Sequence, residues 1–214
     1  MKASAASEPR TPVLVLGIGN LLWADEGFGV RCVEALHARY ELPPGVELLD
    51  GGTQGLYLAN TVAAAERLLV FDALDYGDVP GTLRVVRDAE VPSFHGVRKM
   101  SLHQTGFQDV LAATELLNSP PSRVTLVGVQ LEEIDDFGGS LTRAVAARLD
   151  AALELGLEEL RAWGFAVRAR RAPAPMLLPG GLDRVAFEAE RPSTDVVCRE
   201  GDARFLNLRA ARLG

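Results

Sequence analysis

The stretch PVLVLGIGNLLWADEGFG, residues 12–29, joins an apolar run to a glycine-rich turn that contains two acids. The run PVLVLG (12–17) is rich in β-branched residues and ends at glycine, which is typical of a strand buried on both faces. Apolar residues then recur at the three- and four-residue spacing of an amphipathic helix, at Val30, Val33, Leu36 and Tyr40. The stretch therefore predicts a strand, a turn and a helix, which is the start of a βαβ unit.

The alternation of strand and helix continues along the chain. Further strands are predicted at VELLD (46–50) and RLLVFDA (67–73), and another buried strand at RVTLVGVQ (123–130). TLRVVRD (82–88) is expected to be an edge or antiparallel strand. Helices are predicted at about 55–66, 101–117 and 140–162. We therefore expect an α/β fold, a three-layer sandwich in which a mostly parallel, twisted, five-stranded central sheet has helices on both faces.

Composition divides the chain into three parts. Residues 1–11 are predicted to be a flexible N-terminus, 12–165 one α/β domain, and 166–214 an Arg/Pro-rich C-terminal extension of unknown role. The extension has nine Arg against six Asp and Glu, a charge of +3, whereas the whole chain has −7 and residues 1–165 therefore have −10. Its stretch RARRAPAPMLLPGG has no clear period, which favours a linker or a loosely attached segment.

Length and charge restrict the class of protein. The 214 residues are 48% hydrophobic and 24% charged, as in ordinary soluble domains. A net charge of −7 argues against a nucleic-acid partner, because such proteins carry basic patches. No apolar stretch approaches the length of a membrane span and the N-terminus lacks the apolar region of a secretory signal, so we expect a cytoplasmic protein with no membrane partner. Cys32 and Cys198 lack the spacing of a zinc or disulfide framework.

The glycine-rich turn has two interpretations. Gly17 and Gly19 follow a strand and Asp50 ends the next one, as in a dinucleotide-binding fold. However, Leu22 stands where the third glycine of that motif would be, and the acids Asp25 and Glu26 would repel a phosphate. The turn is therefore expected to face a cation.

Four residues are predicted to meet where the parallel strands end. Glu26 follows the first strand, Asp50 and Asp72 end the second and third, and His103 lies in the first turn of the helix before the last strand. Ligands of such sheets bind outside the carboxyl ends of the strands. Glu26, Asp72 and His103 supply two carboxylates and an imidazole, a ligand set suited to Zn²⁺ or Ni²⁺ with positions left open for water or substrate.

Each residue also has a structural interpretation. Glu26 could stabilise a helix N-terminus, Asp72 could cap a loop, and His103 could bind a backbone carbonyl. His95 is an alternative to His103, while His37 is expected at the surface or its boundary. Cys32 is expected to be a buried small hydrophobic residue.

Six motifs in order resemble the [NiFe]-hydrogenase maturation endopeptidases over residues 12 to about 162: VLVLGIGNLLWADEGFGVRCVEAL (13–36), ELLDGGTQGLYL (47–58), LLVFDA (68–73), PGTLRVVRDAEVP (80–92), KMSLHQTGFQDVL (99–111) and VTLVGVQ (124–130). The resemblance implies that Glu26, Asp72 and His103 contact metal. It also implies that Asp50, Gly51, Gly52 and Thr53 form a substrate-positioning loop. Asp25 would orient the first turn by capping the first helix.

The implied reaction is removal of a C-terminal peptide from the nickel-loaded precursor of a [NiFe]-hydrogenase large subunit. The precursor would bring the nickel, for which Zn²⁺ or a similar divalent ion could substitute in vitro. Asp50 or one of the metal-binding carboxylates would serve as general base. A monomer is expected, because the enzyme must enclose a partner's tail. The alternative is a maturation chaperone that binds metal or precursor without cleaving it.

Overall fold

The computed structural model describes residues 10–91, 102–172, 174–178 and 181–191; the side chains of 102–106 are not described. Seven strands are described: β1 (Thr11–Ile18), β2 (Tyr40–Glu41), β3 (Val46–Gly52), β4 (Ala65–Leu74), β5 (Leu83–Arg87), β6 (Arg123–Gln130) and β7 (Arg168–Ala169). The described α-helices are α1 (Phe28–Arg39), α2 (Ala59–Ala63), α3 (Leu102–Leu116), α4 (Arg143–Ala146), α5 (Leu149–Ala162) and α6 (Arg184–Glu190). Single 3-10 turns lie at Ala24–Gly27, Gly55–Leu58 and Asp88–Glu90.

The main sheet has five strands in the order β3-β1-β4-β6-β5. The pairs β1–β3, β1–β4 and β4–β6 are parallel, whereas β5 is an antiparallel edge strand beside β6. The predicted five-stranded, mostly parallel sheet is therefore confirmed. The strand expected at the edge is the antiparallel one, in keeping with its alternating sequence.

Helices cover both faces of the sheet. One apolar layer packs the β4 residues Leu69 and Phe71 against α1 and α5, and the other packs Leu68 and Val70 against α2 and α3. The two sets alternate along β4 because successive side chains of a strand point to opposite faces. This three-layer arrangement is the predicted fold class. No described helix has both the length and the apolar character needed to cross a bilayer.

Three predicted helix boundaries are wrong. The helix predicted at 140–162 is divided into α4 and α5, because the Arg148 N–H donates to the Val145 carbonyl and closes α4 with a tight turn. The helix predicted at 55–66 begins as a 3-10 turn, and α2 ends before β4 starts at Ala65. Tyr40, placed in the first helix by its spacing, lies in β2 instead.

Part of the C-terminal extension packs on the domain. Strand β7 pairs antiparallel with β2, and Arg170 donates to the carbonyls of His37 and Tyr40 at 3.2 and 3.1 Å. Leu178 is buried, and Asp183 caps α6 by accepting the Ala186 N–H. Residues 192–214 and 1–9 lie outside the described part of the chain, and Thr11 already belongs to β1.

Candidate active site at the carboxyl edge of the sheet

The carboxyl ends of β1, β3 and β4 bring the candidate residues to one edge, called here the carboxyl edge. Gly17 of β1 pairs with Asp50 of β3 on one side and with Phe71 of β4 on the other. Asp72 follows Phe71, and the turn that contains Glu26 follows β1. The topology therefore places Asp50, Asp72 and the Glu26 turn at the edge where α/β sheets bind their ligands.

Glu26 lies in the 3-10 turn Ala24–Gly27, with its side chain partly buried. The turn folds back onto the end of β1, so that a Cβ on Gly19 would lie 1.8 Å from the Glu26 carbonyl oxygen. Gly19 also has φ +136°, a conformation that residues with a Cβ rarely adopt. Its N–H donates to the Gly52 carbonyl at 3.0 Å, which links the Glu26 turn to the end of β3.

Asp25 is fully buried and fastens the Glu26 turn to the loop after β6. Its Oδ2 accepts the backbone N–H groups of Glu132 and Glu133 at 2.9 and 3.0 Å. Its Oδ1 accepts the Thr142 N–H at 2.7 Å, and the Thr142 hydroxyl donates to Oδ2 at 3.1 Å. The prediction that Asp25 caps the first helix is therefore wrong. Its partners belong to the distant loop 131–142, and the N-cap of α1 is Gly27.

Asp72 is a carboxylate buried within an apolar strand. It has 3% exposure and lies two residues before the end of β4, because Ala73 and Leu74 still pair with β6. Its position in the alternation of β4 places it on the face covered by α2 and α3. Its Oδ1 accepts the Ala73 N–H at 2.8 Å. The pKa of nearby Tyr76 is raised to about 12, mainly by burial, with further contributions from the negative charges of Asp72 and Asp78.

Asp50 lies on the opposite face of the sheet from Asp72. Along β3 it shares the alternation of Val46 and Leu48, which pack in the layer of α1. The pKa of Asp50 is raised, mainly because the carboxyl group is buried. The hydrogen bond from the Gly52 N–H and the positive charge of Arg31 lower the pKa, whereas the negative charge of Glu34 raises it. Its electrostatic neighbours therefore belong to α1. The structure brings Asp50 and Asp72 to the same edge but not to the same face.

The predicted substrate-positioning loop is a tight turn stabilised by Asp50. The Asp50 Oδ1 accepts the Gly52 N–H at 2.9 Å, and Gly52 has φ +44°. Gly51 is buried against Leu16, where a Cβ would lie 2.7 Å from the Leu16 Cδ1. Thr53 is exposed. The loop thus presents an exposed threonine on a backbone turn that a carboxylate holds in place.

His103 is the second residue of α3, which packs on the same sheet face as Asp72. Its side chain lies outside the described residues, as does all of His95. Among the side chains that are described, no three His, Cys, Asp or Glu are grouped so that they could hold a metal ion. His37 is partly buried, with its Nε2 2.9 Å from the Pro175 carbonyl oxygen, and Cys32 is buried as predicted.

Sequence reasoning missed Arg31, a buried cation in the first turns of α1. It is 4% exposed, bonds to Glu34 at 2.8 Å and to the Leu182 carbonyl at 2.6 Å, and lies 5.5 Å from the Phe187 ring centroid. It also missed the edge-to-face contact of Trp23 with Phe137, whose ring centroids are 5.2 Å apart. Apart from Glu34 on the same helix, the partners lie more than 100 residues apart in sequence, so no local pattern indicates these contacts.

Comparison with known proteins gives one consistent family. The family model HycI, hydrogenase maturation protease, matches residues 30–159. The hydrogenase expression/formation protein HoxM of Azotobacter vinelandii is 55% identical over 194 residues, which cover 91% of this chain and 94% of HoxM. The hydrogenase 2 maturation protease of Escherichia coli is 44% identical over 161 residues, which cover 75% of this chain and 97% of that protein.

A solved structure agrees with the sequence comparisons. The hydrogenase maturating endopeptidase HybD from E. coli superimposes with a TM-score of 0.70 at 43% identity, covering 74% of this chain and 98% of HybD. Fold and sequence therefore point to the same family, and the family resemblance inferred from the six motifs is confirmed. The chain belongs to the hydrogenase maturation protease family.

Proposed function

We propose that this protein is an endopeptidase that removes the C-terminal peptide from the nickel-loaded precursor of a [NiFe]-hydrogenase large subunit. The observation that carries this proposal is the position of Asp72. A carboxylate with 3% exposure interrupts the buried apolar run 68–74 of β4 at the carboxyl edge, beside the Glu26 turn, in a chain of the hydrogenase maturation protease family. Polar residues that break a core pattern in this way are expected at functional sites.

Glu26, Asp72 and His103 are the residues proposed to contact the nickel of the precursor. Carboxylate oxygens and an imidazole nitrogen are suitable ligands for a borderline divalent ion, and Zn²⁺ could replace nickel in vitro. The backbone supports this set, because the Glu26 turn follows β1 and Asp72 lies near the end of the neighbouring β4. His103 lies in the first turn of the helix on the same face as Asp72.

Such contacts would make cleavage depend on prior nickel insertion. Two carboxylates that face no cation repel each other, so a precursor without nickel would bind weakly. Bound metal can polarise a carbonyl or lower the pKa of a water molecule to about 7. Asp50 is a candidate general base, since burial raises its pKa and a carboxylate with a raised pKa is a stronger base.

The test is intact-mass spectrometry of nickel-loaded and nickel-free precursor, each incubated with a catalytic amount of the protein. We expect a discrete C-terminal peptide to be lost from the loaded form alone. Glu26→Gln and His103→Ala should abolish this loss without unfolding the protein. Glu158→Gln, an exposed carboxylate on α5, is the matched control and should keep activity. A stable complex with no peptide released would instead indicate the maturation chaperone, and full activity of both site variants would contradict the site.

A further inference from the structure

Residues 182–191, called here the bridge segment, connect two elements of the carboxyl edge. The segment contains α6, the two residues before it and Arg191 after it. On one side it contacts the first turns of α1, and on the other side it contacts the loop 131–142. These are the elements beside Asp50 and beside the Glu26 turn, so the C-terminal extension reaches the candidate site.

The contact with α1 is made through a buried ion pair. Arg31 and Glu34 bond to each other at 2.8 Å, and the bridge segment supplies a partner to each of them. The Leu182 carbonyl accepts from Arg31 at 2.6 Å, and the Arg184 N–H donates to Glu34 at 2.8 Å. The Phe187 ring lies 5.5 Å from the Arg31 guanidinium, within the range of a cation–π interaction. Buried charges need such partners, so the segment helps to fix Arg31.

The contact with the loop 131–142 uses the other end of α6. Glu188 accepts the Ser140 hydroxyl at 2.7 Å, and Arg191 pairs with Asp136 at 2.7 Å. Asp25, the neighbour of Glu26, holds the same loop at Glu132, Glu133 and Thr142. The loop backbone therefore connects the contacts of α6 with those of the Glu26 turn.

The bridge segment lies within the region shared with a relative. A match of 194 residues to a 214-residue chain must include residues 21–194 wherever it begins, so the A. vinelandii HoxM match includes the segment. The E. coli hydrogenase 2 protease matches over 161 residues, which are 97% of its own length. It is therefore too short to contain everything from β1 to α6, which spans Thr11–Glu190 here.

We infer that the bridge segment positions Arg31 and the loop 131–142 for binding of the precursor, with Phe187 and Arg191 as its positioning residues. The inference rests on the proposed function for the identity of the substrate. The segment contains none of the proposed metal-binding residues. Its loss should therefore weaken precursor binding and leave the cleavage step itself intact, because misplaced binding elements raise KM without removing a reacting group.

The test uses the full-length protein with Phe187→Ala and Arg191→Ala, and with nickel-loaded precursor as substrate. We expect KM to rise about tenfold while kcat changes less than about twofold. Hydrogen exchange of residues 131–142 should become faster, and exchange in β1 and β4 should not change. Phe187→Tyr, which keeps the ring, should restore KM. Val185→Ala is the matched control, since Val185 lies on the same helix with 78% exposure.

Unchanged exchange of the loop and unchanged KM in both variants would overturn the inference, as would an equal rise in KM for Val185→Ala. A fall in kcat alone would also contradict it. The exchange measurement needs no substrate, so it still tests the bridge segment if the wild-type protein cleaves no precursor. Absence of cleavage by the wild-type protein would contradict the proposed function but not the role of the bridge segment.

Discussion

The carboxylate of Asp25 binds Thr142 twice, through the backbone N–H at 2.7 Å and the side-chain hydroxyl at 3.1 Å. Thr142 is also the N-cap of α4, where its hydroxyl oxygen accepts the Val145 N–H. One buried acid therefore holds together the turn after β1, the loop after β6 and the start of a helix. The adjacent residue, Glu26, is the proposed metal ligand, so the position of Glu26 depends on that of Asp25.

Asp25→Asn should destabilise the protein markedly. The amide nitrogen cannot accept the N–H groups that the carboxylate oxygen accepts from Glu132 and Glu133, so buried donors lose their partner. We expect the free energy of unfolding to fall by about 2–3 kcal/mol, as for lost hydrogen bonds to a charged group. Urea unfolding measures this change. Asp135→Asn, at an exposed site in the same loop, is the control, and equal stability of the two variants would show that Asp25 is not the anchor.

Gly19→Ala should displace the Glu26 turn. The new Cβ would meet the Glu26 carbonyl oxygen at 1.8 Å, at a position where φ is already +136°. Gly55→Ala is the matched control, because Gly55 also has positive φ, at +53°, but an added Cβ there has open space around it. We expect Gly55→Ala to cost about 1 kcal/mol from backbone strain and Gly19→Ala to cost about 1–3 kcal/mol more. Thermal unfolding and the cleavage assay measure both effects; equal values for the two variants would exclude the steric clash.

The strands were predictable from the sequence because each has a strong local pattern. Apolar runs identified β1, β4 and β6, and the stretch VELLD, closed by glycines, identified β3. Alternation identified the antiparallel edge strand β5. The two-residue strands β2 and β7 were not predictable, because two residues show no period and they pair over more than 120 positions. The division of the last predicted helix was missed for a different reason: the apolar spacing continues through Ala147 and Arg148 although the backbone turns there.

The candidate site was predictable as an edge of the sheet but not as a set of contacts. Strand ends placed Asp50 and Asp72 at one edge, as found. Side chains alternate between the two faces along each strand, but the sequence does not show how the strands are aligned with β1. Without that register, the sequence could not show that the two acids lie on opposite faces. Asp25 binds the distant loop 131–142 and Arg31 binds the distant Leu182, so no spacing in the sequence could indicate these contacts. The metal-binding roles of Glu26, Asp72 and His103 stay predictions.

Asp72→Asn should separate activity from stability. The amide oxygen can still accept the Ala73 N–H, and the substitution removes a charge from a buried position, so stability should not fall by more than about 1 kcal/mol. Loss of a metal-contacting carboxylate should reduce cleavage of nickel-loaded precursor by more than about 10²-fold.

Intact-mass kinetics and urea unfolding of the same Asp72→Asn sample measure the two effects. Asp75→Asn is the charge-matched control, because Asp75 is the next acidic residue after Asp72 in the sequence; this variant should keep activity. Normal cleavage by Asp72→Asn would remove Asp72 from the proposed set. A large loss of stability would show instead that its charge is structural.

Asp50→Asn should change stability in a pH-dependent manner. Burial raises the pKa of Asp50 above its ordinary value of 3.8, so the folded protein holds this proton more tightly than the unfolded chain does. Ionisation of Asp50 therefore costs stability as the pH rises through its ordinary pKa of 3.8 and then through the raised pKa of the folded protein. The asparagine oxygen can still accept the Gly52 N–H, so the variant avoids this cost without losing the turn. We expect Asp50→Asn to be more stable than the wild type at neutral pH.

The stability difference between Asp50→Asn and the wild type should shrink as the pH falls below 3.8, where Asp50 is protonated in both the folded and the unfolded state. Urea unfolding of both proteins at several pH values measures this difference. Cleavage of the precursor should fall in Asp50→Asn if its carboxylate acts as the general base, because an amide cannot take up a proton. A stability difference that is the same at every pH would contradict the raised pKa, and undiminished cleavage would leave the base to one of the proposed metal-binding carboxylates.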